Sequence, residues 1–116
     1  MLAKEILSQC DAIRPNAMTG EEKLRLLWQF DVLMQRQLAH LCVFDAPEET
    51  YTQESTLLLE DALSDIYVKY LLSQIDFFNG ETGRYNASAV LFNTAYGRFL
   101  DEMNRTHPAK RGDITV

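Results

Sequence analysis

Basic charge is scarce in this chain. Eleven Lys and Arg face seventeen Asp and Glu, for a net charge of −6 over 116 residues. A protein that grips nucleic acid by displacing counterions needs clustered cations, so tight nucleic-acid binding is not expected. The one basic cluster is "RTHPAKR", Arg105 to Arg111. Cysteine is also scarce, with Cys10 and Cys42 alone. In a reducing compartment both read as small buried hydrophobes rather than a disulfide. Three prolines and five glycines are too few for a long disordered chain or a loop-rich sandwich. No run approaches the ~18 apolar residues of a membrane span. The opening "MLAKEILSQCDAIR" is too interrupted by charge for an export signal. Without export, the Asn-x-Ser/Thr sites at Asn86 and Asn104 carry no glycan expectation.

What is present is helical periodicity. The apolar share of 47% suits one globular domain with a single core. Leu2, Ile6, Cys10 and Ile13 repeat at helical spacing, with Leu7 alongside. Pro15 ends that helix, because proline disfavours the α conformation before it. Thr19 and Glu22 fit a capping box, predicting a long helix over roughly Gly20 to Val43. Leu24, Leu27, Met34, Leu38 and Leu41 form its stripe, with Trp28 and Phe30 nearby. Glu21, Lys23, Arg25 and Arg36 are assigned mostly to its wet side. Phe44 to Thr56 reads as a surface loop, with a short extended piece at Tyr51 or Leu57–Leu59. A third helix is expected from about Ala62 to Phe78. Asn79–Gly80 stops it, since both residues tolerate the left-handed conformation. Thr82 is expected to cap a fourth helix running to about Thr106. The predicted fold is all-α: a small bundle of about four helices with a long C-terminal antiparallel hairpin. Residues 1–107 form one domain, and 108–116 a flexible tail.

The fourth helix poses the main question. From Tyr85 to Gly97, "YNASAVLFNTAYG", it carries no charge, although charged residues make up 24% of the chain. Tyr85, Ala89, Phe92, Tyr96, Phe99 and Met103 form a seam repeating about every 3.5 residues. A helix uncharged all round is normally buried on most sides. Two surroundings would do this: a central position in the bundle, or contact with a second subunit. Asn86, Asn93 and Gly97 lie apart from the seam and form the candidate subunit interface. A mid-helix glycine costs roughly 1 kcal/mol relative to alanine, which a close backbone approach would explain.

Candidate chemistry is thin. Asp61 and Asp65 are four apart and could share a proton or a divalent ion, but two acids near a helix start also simply favour its positive end. His40 and Cys42, two apart, point to different sides of a helix. No paired zinc ligands, nucleophile elbow or phosphate loop occurs. Arg84 is placed to pair with Asp76 across the hairpin turn. Tyr67, Tyr70, Phe77, Phe78, Tyr85, Phe92, Tyr96 and Phe99 read as hairpin core. The sequence therefore predicts no enzyme, no cofactor and no metal site.

One resemblance goes further. Asp65–Val68, Ile75–Gly80, Arg84–Ser88, Phe92–Tyr96 and Arg105–Pro108 match a recurrent pattern. It is an acidic-Leu-Tyr-Val opening, an Ile-Asp-aromatic-x-Asn-Gly turn, Arg-Tyr-Asn-x-Ser, Phe-Asn-x-Ala-Tyr and a closing Arg-Thr-His-Pro. Ile66 stands where the pattern has Leu. Arg14–Pro15–Asn16 before the capped second helix matches as well. Together they resemble small phage and prophage proteins of Gram-positive bacteria grouped with head–tail connectors, or adaptors. The family often has proline before the third helix, where this chain has Glu60 and Ala62. The resemblance implies a virion structural subunit, assembled as a ring between portal and tail. It would be made in a bacterial host's cytoplasm, with portal and tail-completion proteins as partners. A free subunit could be monomeric before docking. Lys110 and Arg111 in the basic tail would meet an acidic surface such as the portal's. The alternatives are a soluble tail-assembly or accessory factor, or a host-directed regulator that binds a protein.

Overall fold

The computed structural model describes residues 1–42 and 44–107. Four helices follow in order: α1 (Ala3–Ile13), α2 (Gly20–Gln37), α3 (Ser64–Phe78) and α4 (Thr82–Thr106). Single 3₁₀ turns lie at Ala39–Leu41 and Asp61–Leu63. The described residues hold no strand, only an isolated antiparallel bridge between Leu2 and Thr56. The tail expected at 108–116, with Lys110 and Arg111, lies outside the described residues.

Local sequence signals set most boundaries. The Thr19 hydroxyl accepts the Glu22 amide at 3.1 Å, while the Glu22 carboxylate accepts the Thr19 amide at 3.0 Å. That capping box satisfies two orphan donors and starts α2. The same bond to the Thr19 amide holds the Glu22 carboxyl below its usual pKa. Gly80 ends the α3 reversal with φ +73°. The Glu81 amide donates to the Asp76 carbonyl and the Gly80 amide to that of Phe77, the paired bonds of a Schellman motif. This turn uses Glu81 as the N-cap of α4, so Thr82 is the first helical residue rather than the cap.

α2 stops earlier than its periodicity predicts. Beyond Gln37 the backbone tightens into the 3₁₀ turn, and Cys42 adopts the left-handed conformation at φ 55°. The apolar stripe continues through Leu38 and Leu41, both buried. Apolar spacing cannot distinguish α from 3₁₀ over one turn. The supposed surface loop is corrected too. Carbonyls of Ser55 and Gln53 accept the first amides of α1, Ala3 at 2.8 Å and Lys4 at 3.0 Å. Tyr51, Ser55, Leu57 and Leu59 are buried. The stretch caps α1 and completes the core beside it.

α3 and α4 form the most extensive helix pair. Their aromatic residues converge on Phe30 of α2. Its ring stacks on Tyr70 at 4.8 Å between centroids and meets Tyr67, Phe92 and Tyr96 edge-on at 5.3 to 5.6 Å. Such pairs contribute about 0.5–1.5 kcal/mol each beyond area burial. Burial pushes the Tyr96 phenol up to about 12. Not every aromatic joins this core. Phe77 is 69% exposed, and Phe78, the last residue of α3, is half-exposed. Ile13, expected on the inner stripe of α1, also points to solvent.

Candidate interaction surface

α4 is not a central helix. Tyr96 and Phe99 are buried, and the rest of the inner seam is half-buried. On its remaining sides Asn86, Ala87, Val90, Leu91, Asn93 and Thr94 are exposed, Val90 at 63% and Leu91 at 59%. The absence of charge between Tyr85 and Gly97 is therefore not explained by burial among the described residues. Val90 falls between the anticipated interface residues. Asn86, Val90, Asn93 and Gly97 repeat the 4-3-4 spacing of the inner seam and make a second seam on the flank. A Cβ built on Gly97 would meet no atom within 4 Å. At the hairpin tip, Phe77, Gly80, Tyr85 and Asn86 border a small concavity. It links exposed Phe77, whose ring lies 5.4 Å from that of Tyr85, to the uncharged flank.

Motif residues distant in sequence meet beneath this tip. The Arg14 guanidinium donates to the carboxylate of Asp76, which is fully buried and also accepts the Ser88 hydroxyl at 2.7 Å. The Asn79 amide donates to the Pro15 carbonyl at 3.3 Å. Arg14–Pro15–Asn16, Asp76–Asn79 and Ser88 thus fasten the α1–α2 turn to the hairpin. The expected Arg84–Asp76 pair does not form. Arg84 is exposed and pairs with Glu81 at 3.2 Å, because Arg14 reaches Asp76 from the bundle side and fills that position.

A second buried carboxylate was missed in the sequence. Asp31, fully buried on α2, accepts the hydroxyls of Tyr51 and Tyr67 at 2.6 Å each and the Leu58 amide at 3.1 Å. Tyr67 in turn accepts the Leu59 amide at 2.9 Å. Burial raises the Asp31 pKa, and these donors oppose only part of that rise. Burial and the adjacent carboxylate also push both phenols up. No cation reaches Asp31 among the described residues. Its geometry anchors the 51–59 stretch to α2 and α3. The signal lay in spacing: Asp31 occupies the inward position between Leu27 and Met34. Lys23 is likewise buried rather than wet, with Nζ 2.6 Å from Asp11. Partial burial raises the Asp11 pKa, but hydrogen bonds from Lys23 and Asn16 outweigh it and hold the carboxyl below its usual value.

The remaining candidates are dispersed. Asp61 faces the Met1 amine and Asp65 pairs with Lys69. The His40 imidazole lies 2.7 Å from the Asn104 side chain. Cys10 is buried and its thiol is pushed up to about 12 by burial. Cys42 is exposed, contrary to expectation, because the left-handed turn after Leu41 carries it outward. Among the described residues, no group of three His, Cys, Asp or Glu could hold a metal ion, and no helix is long and apolar enough to cross a membrane. A groove of about 530 Å³ opens beside the start of α2, lined in part by Leu24, Trp28 and Tyr51 and by Glu21, Glu22 and Glu49. No family model matches the chain, and no curated protein or solved structure matches it either.

Proposed function

We propose that this protein is a phage or prophage virion subunit, a head–tail connector that assembles with copies of itself between portal and tail. The observation that carries the proposal is the exposed uncharged flank of α4, centred on Val90. A solvated helix face normally carries charge, and a contiguous apolar and neutral face is what a partner surface would cover. The second seam Asn86–Val90–Asn93–Gly97 has the repeat of a helix–helix contact, with a glycine where backbones would approach. The motif resemblance supplies the identity of the assembly, which the flank alone does not specify. Net charge −6 suits a wall that lets DNA pass without holding it.

The test uses particles. Val90→Glu places a charge on the flank and leaves the core untouched. The variant is expected to melt like the wild type yet to be missing from purified tailed particles in a complementation assay. Mass spectrometry of wild-type particles should find the protein in multiple copies. Its absence from finished particles would favour the tail-assembly or accessory reading and remove the connector. Normal incorporation of Val90→Glu would remove the α4 flank as the assembly surface.

A further inference from the structure

The groove beside the start of α2 has a definite chemical character. Its floor is apolar, made by Leu24 and Tyr51, both nearly buried, with the half-buried Trp28 indole. The indole is fixed because Nε1 donates to the Glu48 carbonyl at 2.8 Å. Glu21, Glu22 and Glu49 stand on the rim against Arg25. An apolar floor under a net acidic rim fits a short basic segment that also carries apolar side chains.

The chain contains such a segment. Arg105 to Arg111 is its one basic cluster, and Ile114 and Val116 follow. We infer that the C-terminal segment of a second copy docks in this groove, its Lys110 and Arg111 against Glu21 and Glu49. The distance to Glu21 favours another copy over the same one. α4 ends beside the far end of α2, where Asn104 meets His40 and Tyr96 donates to Gln37. Glu21 and Gln37 are separated by about 24 Å of helix axis at ~1.5 Å per residue. Lys110 and Arg111 follow His107 by three and four residues, which span at most about 14 Å even when extended. That backbone span falls short of Glu21 of the same copy, at the far end of the groove. This deepens the self-assembly reading and rests on it: copies brought side by side by α4 would exchange C-terminal segments.

Trp28 is the only tryptophan, so its fluorescence reads the groove directly. A synthetic peptide of residues 105–116 titrated into the full chain should change that emission saturably, with affinity falling as salt rises. Glu21→Lys with Glu49→Lys should weaken binding at least tenfold, as should the peptide with Lys110→Glu and Arg111→Glu. Mixing the Glu21→Lys, Glu49→Lys chain with a full chain carrying Lys110→Glu and Arg111→Glu should restore the emission change, since the first supplies the tail and the second the groove. No saturable change, equal binding by the reversed groove, or no restoration on mixing would each overturn the inference. Val90→Glu separates this outcome from failure of the connector reading: it should abolish particle incorporation while leaving peptide binding unchanged.

Discussion

Gly97 gives the sharpest test of how α4 is used. It lies mid-helix in a segment with no left-handed requirement, since positive φ among the glycines belongs to Gly80. An added Cβ would stand in open space. Gly97→Ala should therefore recover the helix-propensity difference without a packing penalty, about 0.5–1 kcal/mol in favour of the folded monomer. At roughly 4 °C per kcal/mol for a chain of this size, the Tm should rise by about 2–4 °C in dilute calorimetry or circular-dichroism melts. Gly97→Leu reaches beyond that Cβ from a half-buried position, so its monomer melt serves as the control for folding. Assembly should respond in the opposite direction. If neighbouring backbones approach at Gly97, alanine should impair incorporation into particles and leucine should block it. A monomer destabilised by Gly97→Ala would refute the structural argument, because it would mean something packs against that position. A folded Gly97→Leu monomer that assembles normally would refute the interface.

Two further expectations follow from the paired and buried carboxylates. Arg14→Ala leaves Asp76 buried with only Ser88 as side-chain partner, so it should cost about 3 kcal/mol, whereas Arg84→Ala should cost under ~0.5 kcal/mol; urea unfolding of both variants checks the ratio, and equal losses would contradict the assigned pairing. Asp11 and Asp31 should give opposite pH slopes: the Asp11 pKa is lowered by folding, so its contribution is present above its unfolded value and lost as pH falls through the folded one, while the Asp31 pKa is raised, so its contribution is full below the unfolded value and lost as pH rises through the folded one. Urea melts of Asp11→Asn and Asp31→Asn against wild type from pH 2 to 7 should therefore diverge in opposite directions, and parallel shifts would show the assignment to be wrong.

Short-range chemistry made much of the architecture legible in the sequence. Thr19 and Glu22 start α2, Asn79–Gly80 reverses α3 into α4, and the inner α4 seam packs as its 3.5-residue repeat implies. These features depend on residues a few positions apart, so the local pattern suffices to determine them. The sequence also marked Asn86, Asn93 and Gly97 as distinct from that seam. It did not determine which side of α4 faces water, because periodicity names a face without naming what covers it. Nor did it reveal that Arg14 rather than Arg84 holds Asp76. Hydrogen bonding and charge pairing select whichever donor the tertiary fold brings near, and Arg14 lies in the turn between α1 and α2. Asp31 was hidden by the same logic: a carboxylate on an apolar stripe becomes intelligible only when Tyr51, Leu58 and Tyr67 converge on it from a loop and another helix. The middle stretch looked like a linker because its polar composition resembles one. Its carbonyls are instead spent on the first turn of α1, a use set by chain reversal over some fifty positions and visible only in the assembled fold.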